Sequence, residues 1–193
     1  MTDYVQDSQT PSHSPTPNTR HLTPPQVLAQ GKYMRLMIEG TWEYAQRINV
    51  CGIVGVVAVT DDGKLVMVEQ YRIPVGRRSI ELPAGLAGDT DEFTGEDLYQ
   101  AAHRELLEET GYKAESMTFL CEGPPSAGTT TEVITLYLAT GLTKVGPGGG
   151  DHTEDIVVHE IPIEQVPEWL EQKRREGILT DLRIFTGLYF VQK

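Results

Sequence analysis

Hydrophobic and polar positions change their spacing several times along the chain, and each change predicts an element. Lys32–Glu39 and Thr41–Asn49 read as two strands joined tightly at Gly40. Cys51–Thr60 is a near-continuous β-branched run, the pattern of a buried strand. Asp61-Asp62-Gly63 is a hairpin turn signal, and Lys64–Ile73 returns as the partner strand. Ser79–Leu82 reads as a short strand entering Pro83-Ala84-Gly85, and Ser116–Cys121, Val133–Ala139 and Asp155–Ile161 as further strands. Glu96–Tyr112 takes the helical period, as do Ile163–Glu176 and Thr180–Val191, which separate near Gly177. Gly141–His152, with Gly146, Pro147, Gly148, Gly149 and Gly150, reads by composition as a mobile loop. Strands on both sides of a central helix, closed by two more helices, predict an α/β fold, a mixed sandwich.

The Glu96–Tyr112 helix carries an unusual polar pattern. Thr94 suits the N-cap with Asp97 three residues on, and Gly111 suits a left-handed exit. Leu98, Ala101, Ala102 and Leu106 form the apolar stripe, yet Glu105 and Glu109 fall inside it, with Glu108 at its edge. A solvated acidic face is the ordinary reading of such charge. Inward carboxylates one turn apart, however, repel and lose hydration, so a cation is expected between them. Oxygen ligands of this kind suit Mg²⁺ or Mn²⁺ facing a phosphate.

Composition narrows the classes. The 193 residues suffice for a proper core, and residues 1–25, rich in Ser, Thr, Pro and Gln, read as a disordered tail. A net charge of −12 opposes nonspecific binding to nucleic acid or anionic membrane, whereas metal ions let an acidic protein handle phosphates. Cys51 and Cys121 sit in apolar runs without metal-type spacing and are expected to be buried free thiols. No apolar segment reaches membrane-spanning length and no signal peptide is visible, so the expected location is the cytoplasm.

With these residues in view, Glu96, seven residues, then Arg104-Glu105-Leu106-Leu107-Glu108-Glu109-Thr110-Gly111-Tyr112 resembles the Nudix hydrolase box, G-x5-E-x7-R-E-U-x-E-E-x-G-U. One departure precedes it: Gly85, the box glycine, is followed by ten residues before Glu96 instead of five, which reads as a loop lengthened within 87–94. The resemblance implies an α/β/α sandwich with mixed sheets, preceded by an N-terminal strand pair. The expected organisation is a tail over 1–25, N-terminal strands for dimerisation and base binding over 26–50, and the Nudix domain over 51–193.

Four further stretches are similar to the ADP-ribose and ADP-sugar pyrophosphatases of that family. Trp42-Glu43-Tyr44-Ala45-Gln46-Arg47 resembles a segment whose tryptophan stacks on adenine, whose glutamate accepts from the base and whose arginine supports the nucleotide. Taken alone, it is equally a strand with one core aromatic. Arg72, in Glu69-Gln70-Tyr71-Arg72, takes the place of the arginine that binds the diphosphate, while Arg77-Arg78 reads as a solvated loop. Glu81-Leu82-Pro83-Ala84-Gly85 resembles the segment whose alanine carbonyl ligates a metal and whose glutamate contacts substrate or a water beyond the metal's own ligands. Glu154, at the end of the glycine-rich loop, takes the position of the base that aligns the attacking water; a merely solvated acidic loop is the alternative, and His152 is a weaker candidate. Ala127 stands where ADP-ribose pyrophosphatases often carry proline.

The resemblance thus implies Mg²⁺-dependent hydrolysis of ADP-ribose or a related ADP-sugar to AMP and a sugar phosphate. Glu105, Glu109, the Ala84 carbonyl and Glu108 would hold the metals; Glu108 and Glu109 would share the catalytic role with Glu154. Trp42, Glu43, Arg47, Arg72 and Glu81 would bind substrate, and Gly85, Glu96, Arg104 and Gly111 would keep the box in shape. A homodimer with exchanged N-terminal strands is implied as well. Another nucleoside diphosphate sugar such as GDP-mannose, or a noncatalytic nucleotide sensor, are the rival expectations.

Overall fold

A computed structural model describes residues 23–88, 95–150 and 155–192. Thr94, His152 and Glu154 lie outside the described residues. Strands β1 (Gln26–Gln30), β2 (Met34–Glu39) and β3 (Trp42–Arg47) form an antiparallel sheet of three. The N-terminal pair is therefore a triplet. β1 escaped the periodicity because all five of its residues are exposed, so no face is marked by burial.

The main sheet combines β4 (Gly52–Val59), β5 (Lys64–Arg72), β6 (Arg77–Glu81), β7 (Ala84–Ala87), β8 (Tyr112–Gly123), β9 (Ile134–Lys144), β10 (Val157–Pro162) and the two-residue β11 (Leu179–Thr180). Its spine runs β11-β6-β5-β4-β9-β8, with β10 on β5 and β7 on β4. Helices α1 (Leu98–Thr110), α2 (Val166–Arg175) and α3 (Arg183–Val191) cover it. β4 shows why the layers are three. Its Val54, Val56 and Ala58 join Ala101, Ala102 and Leu106 of α1 in one core, while Val57 joins Val166, Leu170, Ile184 and Leu188 of α2 and α3 in the other. Side chains alternate across a strand, so a run apolar at every position demands cover on both faces. The expected α/β/α sandwich is the observed one.

The β4–β5 hairpin is ladder-paired only over Ala58–Val59 and Leu65–Val66. Beyond it β4 takes β7 over Gly52–Gly55, and β5 takes β6 over Val68–Arg72. The chain passes from β6 to β7 through Leu82 and Pro83, and a pocket opens where the two diverge.

Three local expectations change. α1 is capped by Asp97, which accepts from Gln100 N at 2.8 Å, with the Gln100 side chain reaching back to Asp97 N. A capping side chain followed by a polar residue three positions on occurs twice in succession in the sequence, as Thr94 with Asp97 and Asp97 with Gln100, and the second pair is the cap. Cys51 is exposed and Cys121 half-buried, contrary to the expected burial. Cys51 lies just before β4, at the rim of a cleft beside Arg47, and Cys121 lies on the outermost strand, β8. Arg78 is no solvated loop residue. It lies on β6, donates to the buried Glu69 at 2.6 Å and to Asp155 at 2.8 Å, and His159 Nε2 meets the other Glu69 oxygen at 3.0 Å. Burial pushes the Glu69 carboxyl up, but the Arg78 and His159 hydrogen bonds outweigh it and hold it below the ordinary value.

Candidate active site

α1 enters the site through its last two turns. Gly111 takes φ 74° and closes the helix with a bond to Leu107 O. The glycine-rich segment then returns to this end: Gly149 N donates to Glu109 O at 2.8 Å and Gly150 N to Glu108 O at 3.1 Å. Gly148 has φ 69°, and a Cβ there would stand 2.4 Å from Thr110 C. Residues 141–144 belong to β9, and 145–150 are docked backbone to backbone on α1 in place of the mobile loop expected from composition. Glycine content signalled close approach, since only a residue without Cβ lets two backbones meet so nearly.

Glu109 is 3% exposed, and its Oε2 accepts from Ala84 N at 3.0 Å. Glu105 lies over Gly85, where a Cβ would fall 2.0 Å from its carboxylate. The box glycine thus makes room for a box glutamate. Arg104 pairs with Glu96 at 2.9 and 3.0 Å, donates to Leu86 O, and reaches Glu105 at 2.8 Å and Glu108 at 3.0 Å. Burial works against the Arg104 charge, but these carboxylates prevail and raise its pKa. Glu108 itself is exposed and lies outside the pocket lining.

A cavity of about 710 Å³ gathers Arg47, Arg72, Glu81, Ala84, Gly85, Glu105 and Glu109. Sequence reasoning missed Glu132, Asp181 and Arg183 on the same lining. Glu132 holds Arg47 at 2.6 Å. Asp181 and Arg183 arrive from β11 and α3, where the pattern showed only a helix; an Asp-Leu-Arg at a helix start was the available signal. Trp42 is not on this lining. It stands 60% exposed beside a second hollow of about 440 Å³ with Tyr44 and Ala127, its Nε1 donating to Gly128 O at 3.1 Å. Glu43, its neighbour on β3, points to the opposite face of the strand and is exposed, outside the linings of both cavities.

Carboxylates outnumber arginines five to three around the large cavity. A diphosphate entering alone would meet net repulsion, and only added cations reverse that balance. The donors are all hard oxygens, which fits a divalent ion of the Mg²⁺ class better than a thiophilic one. Among the described residues no three His, Cys, Asp or Glu side chains converge as a ready metal cluster, because Glu105 and Glu108 are turned toward Arg104.

An α/β sandwich with the glutamates of one helix end built into an acidic pocket is the class that fold and site define. Residues 52–182 match the family model described as NUDIX domain, and the chain belongs to the Nudix family, whose hydrolases use a divalent metal ion. Over 124 residues it is 40% identical to the methanol dehydrogenase activator of Bacillus methanolicus, covering 64% of either chain. Over 113 residues it is 41% identical to the ADP-ribose pyrophosphatase of Mycobacterium tuberculosis, covering 58% of this chain and 53% of that one. The chain therefore matches between about half and just under two thirds of the length of these relatives. A crystal structure described as an ADP compounds hydrolase is similar with a TM-score of 0.70 at 21% identity, covering 89% of this chain and 91% of that one, and establishes the shared fold.

Proposed function

We propose that the protein hydrolyses the diphosphate bond of ADP-ribose or a related ADP-sugar, giving AMP and a sugar phosphate. One observation carries the reading: a single cavity joins the box carboxylates Glu105 and Glu109 to the guanidiniums of Arg47 and Arg72. The ADP-ribose pyrophosphatase among its relatives supports the substrate class. Mg²⁺, with Mn²⁺ as substitute, would neutralise the diphosphate and lower the pKa of a bound water. Glu105 and Glu109 would hold it, with the Ala84 carbonyl and Glu108 completing the set. Arg72 orients the phosphates through its planar fork. Glu154 aligns or deprotonates the attacking water, and Trp42 offers an aromatic face to the base.

The same reading makes the protein a homodimer. Val27, Leu28, Leu36 and Trp42 of the N-terminal sheet are all exposed, and a second copy would cover such a sheet. Trp42, outside the large cavity of its own chain, would then serve the partner's. The domain division at residues 25 and 50 belongs to this proposal, as does a cytoplasmic location, for which two cysteines outside any disulfide speak.

Product analysis tests it. ADP-ribose incubated with and without Mg²⁺ should give AMP and ribose 5-phosphate only with the metal, faster than GDP-mannose is cut. Faster cleavage of GDP-mannose would move the substrate class. No metal-dependent cleavage of either would leave a nucleotide-binding protein.

A further inference from the structure

Arg72 is committed in the structure to the carboxylate it faces. Its Nε and Nη2 bond both oxygens of Glu81, at 2.9 and 2.5 Å, and Glu81 is only 4% exposed. To grip a diphosphate with the same fork, Arg72 must release Glu81. A buried carboxylate stripped of its partner is strongly unfavourable, and that penalty would offset the phosphate contact.

A second guanidinium stands ready at the same oxygen. Arg183 Nη2 is 3.8 Å from Glu81 Oε2, beyond a hydrogen bond but within reach of a small side-chain shift. Its placement is built in by backbone. β11 runs parallel to β6, with Thr180 opposite Ile80, and Asp181 N donates to Ile80 O at 2.9 Å. Asp181 accepts from Arg183 N at 2.8 Å and from its Nε at 2.8 Å, and also meets Nη2. Burial pushes the Asp181 carboxyl up, yet these bonds from Arg183 hold it below the ordinary value. Arg183 is thereby tethered by its own carboxylate with its guanidinium facing Glu81.

We propose that Arg183 is a positioning residue that takes over Glu81 when Arg72 turns to the substrate's diphosphate, a handover that makes Arg72 available without leaving a buried charge uncovered. It rests on the hydrolase reading for its substrate.

The test compares wild type, R183M, R183K, E81Q and the R183M/E81Q double variant by steady-state kinetics on ADP-ribose, by calorimetric binding of ADP, and by thermal unfolding. R183M should raise KM and weaken ADP on the order of tenfold or more while kcat changes less than about threefold. R183K should recover most of this loss. Glu81→Gln in the R183M background should bring both back to within about threefold of the Glu81→Gln single variant, since a neutral amide needs no replacement cation. An unchanged KM and ADP affinity in R183M, or a double variant that falls as far below E81Q as R183M falls below wild type, overturns the handover. Should R183M not fold, R183Q beside R183K carries the same comparison. ADP binding reads the handover without turnover. A wild type that binds ADP but cuts no ADP-ribose sinks the hydrolase reading alone, and the effect of R183M on ADP then decides the handover. A wild type that does neither overturns both.

Discussion

The α1 wall of the large cavity and the wall opposite, made by β5, β6, β11 and α3, carry the same two kinds of side chain but assemble them differently. On the α1 side, Glu105 and Glu109 line the cavity one turn apart, with Glu108 between them in sequence but off the lining, and Arg104 of that helix holds Glu105 and Glu108 while Glu96, eight residues earlier, braces it. Opposite, Arg72 and Glu81 meet Asp181 and Arg183 from a hundred residues further along the chain. The first wall concentrates negative charge on rigid local geometry. The second nearly balances its charges through long-range pairing. Together they form the pocket in which the proposed function sets cations on the α1 side and the diphosphate on the other.

The largest effect expected on this contrast comes from the first wall. Glu109→Gln keeps an acceptor for Ala84 N, so the fold should persist with its melting temperature within a few degrees, yet kcat should fall on the order of 10²–10³-fold or more. Near-normal turnover would remove Glu109 from the metal set. On the second wall, Arg72→Ala takes away the proposed phosphate fork and uncovers Glu81. There kcat/KM for ADP-ribose should drop about 10–100-fold, mainly through KM. A pure kcat loss would break the assignment of this wall to ground-state orientation.

Gly85→Ala probes the join between the walls. Its Cβ would fall inside the Glu105 carboxylate, so that side chain must swing away. Activity should fall about tenfold, and raising the metal concentration should recover part of it if Glu105 is a ligand. Gly148→Ala strains a left-handed backbone against Thr110, and urea unfolding should register a loss of about 1–3 kcal/mol.

The smallest effect is on the pH dependence of stability. Glu69 and Asp181 both have carboxyl pKa values held below the ordinary value. Each therefore contributes stability that is complete above the unfolded carboxylate pKa of about 4 and is lost as pH falls through its lower folded value. Unfolding of Glu69→Gln should show a shallower acid limb than wild type, the two converging as pH falls through the lowered folded value of Glu69. An identical slope would mean that the Arg78 and His159 contacts contribute nothing net.

Much of this was legible in the sequence because it is local. The β-branched run of β4, the Asp-Asp-Gly turn, the helical period of α1 and the carboxylates within its apolar stripe each follow from spacings shorter than about twenty residues. β1 was not legible, since a strand exposed along its whole length leaves no alternation to detect. β11 was too short to carry a period at all. Cys51 and Cys121 show the limit from another side: an apolar neighbourhood in sequence predicts a buried element, but the position of a residue at a strand end or an outermost strand sets its own exposure.

By itself, then, the sequence determined a mixed α/β sandwich and the acidic end of α1, because backbone periodicity converts spacing into facing. Tertiary structure alone decided that Asp181 and Arg183 join Arg72 and Glu81, that the glycine-rich segment docks on the α1 carbonyls, and that Trp42 stands apart from the large cavity. Such pairings depend on which strands lie side by side, and strand order is set by the packing of the whole sheet, a quantity no local window of sequence contains.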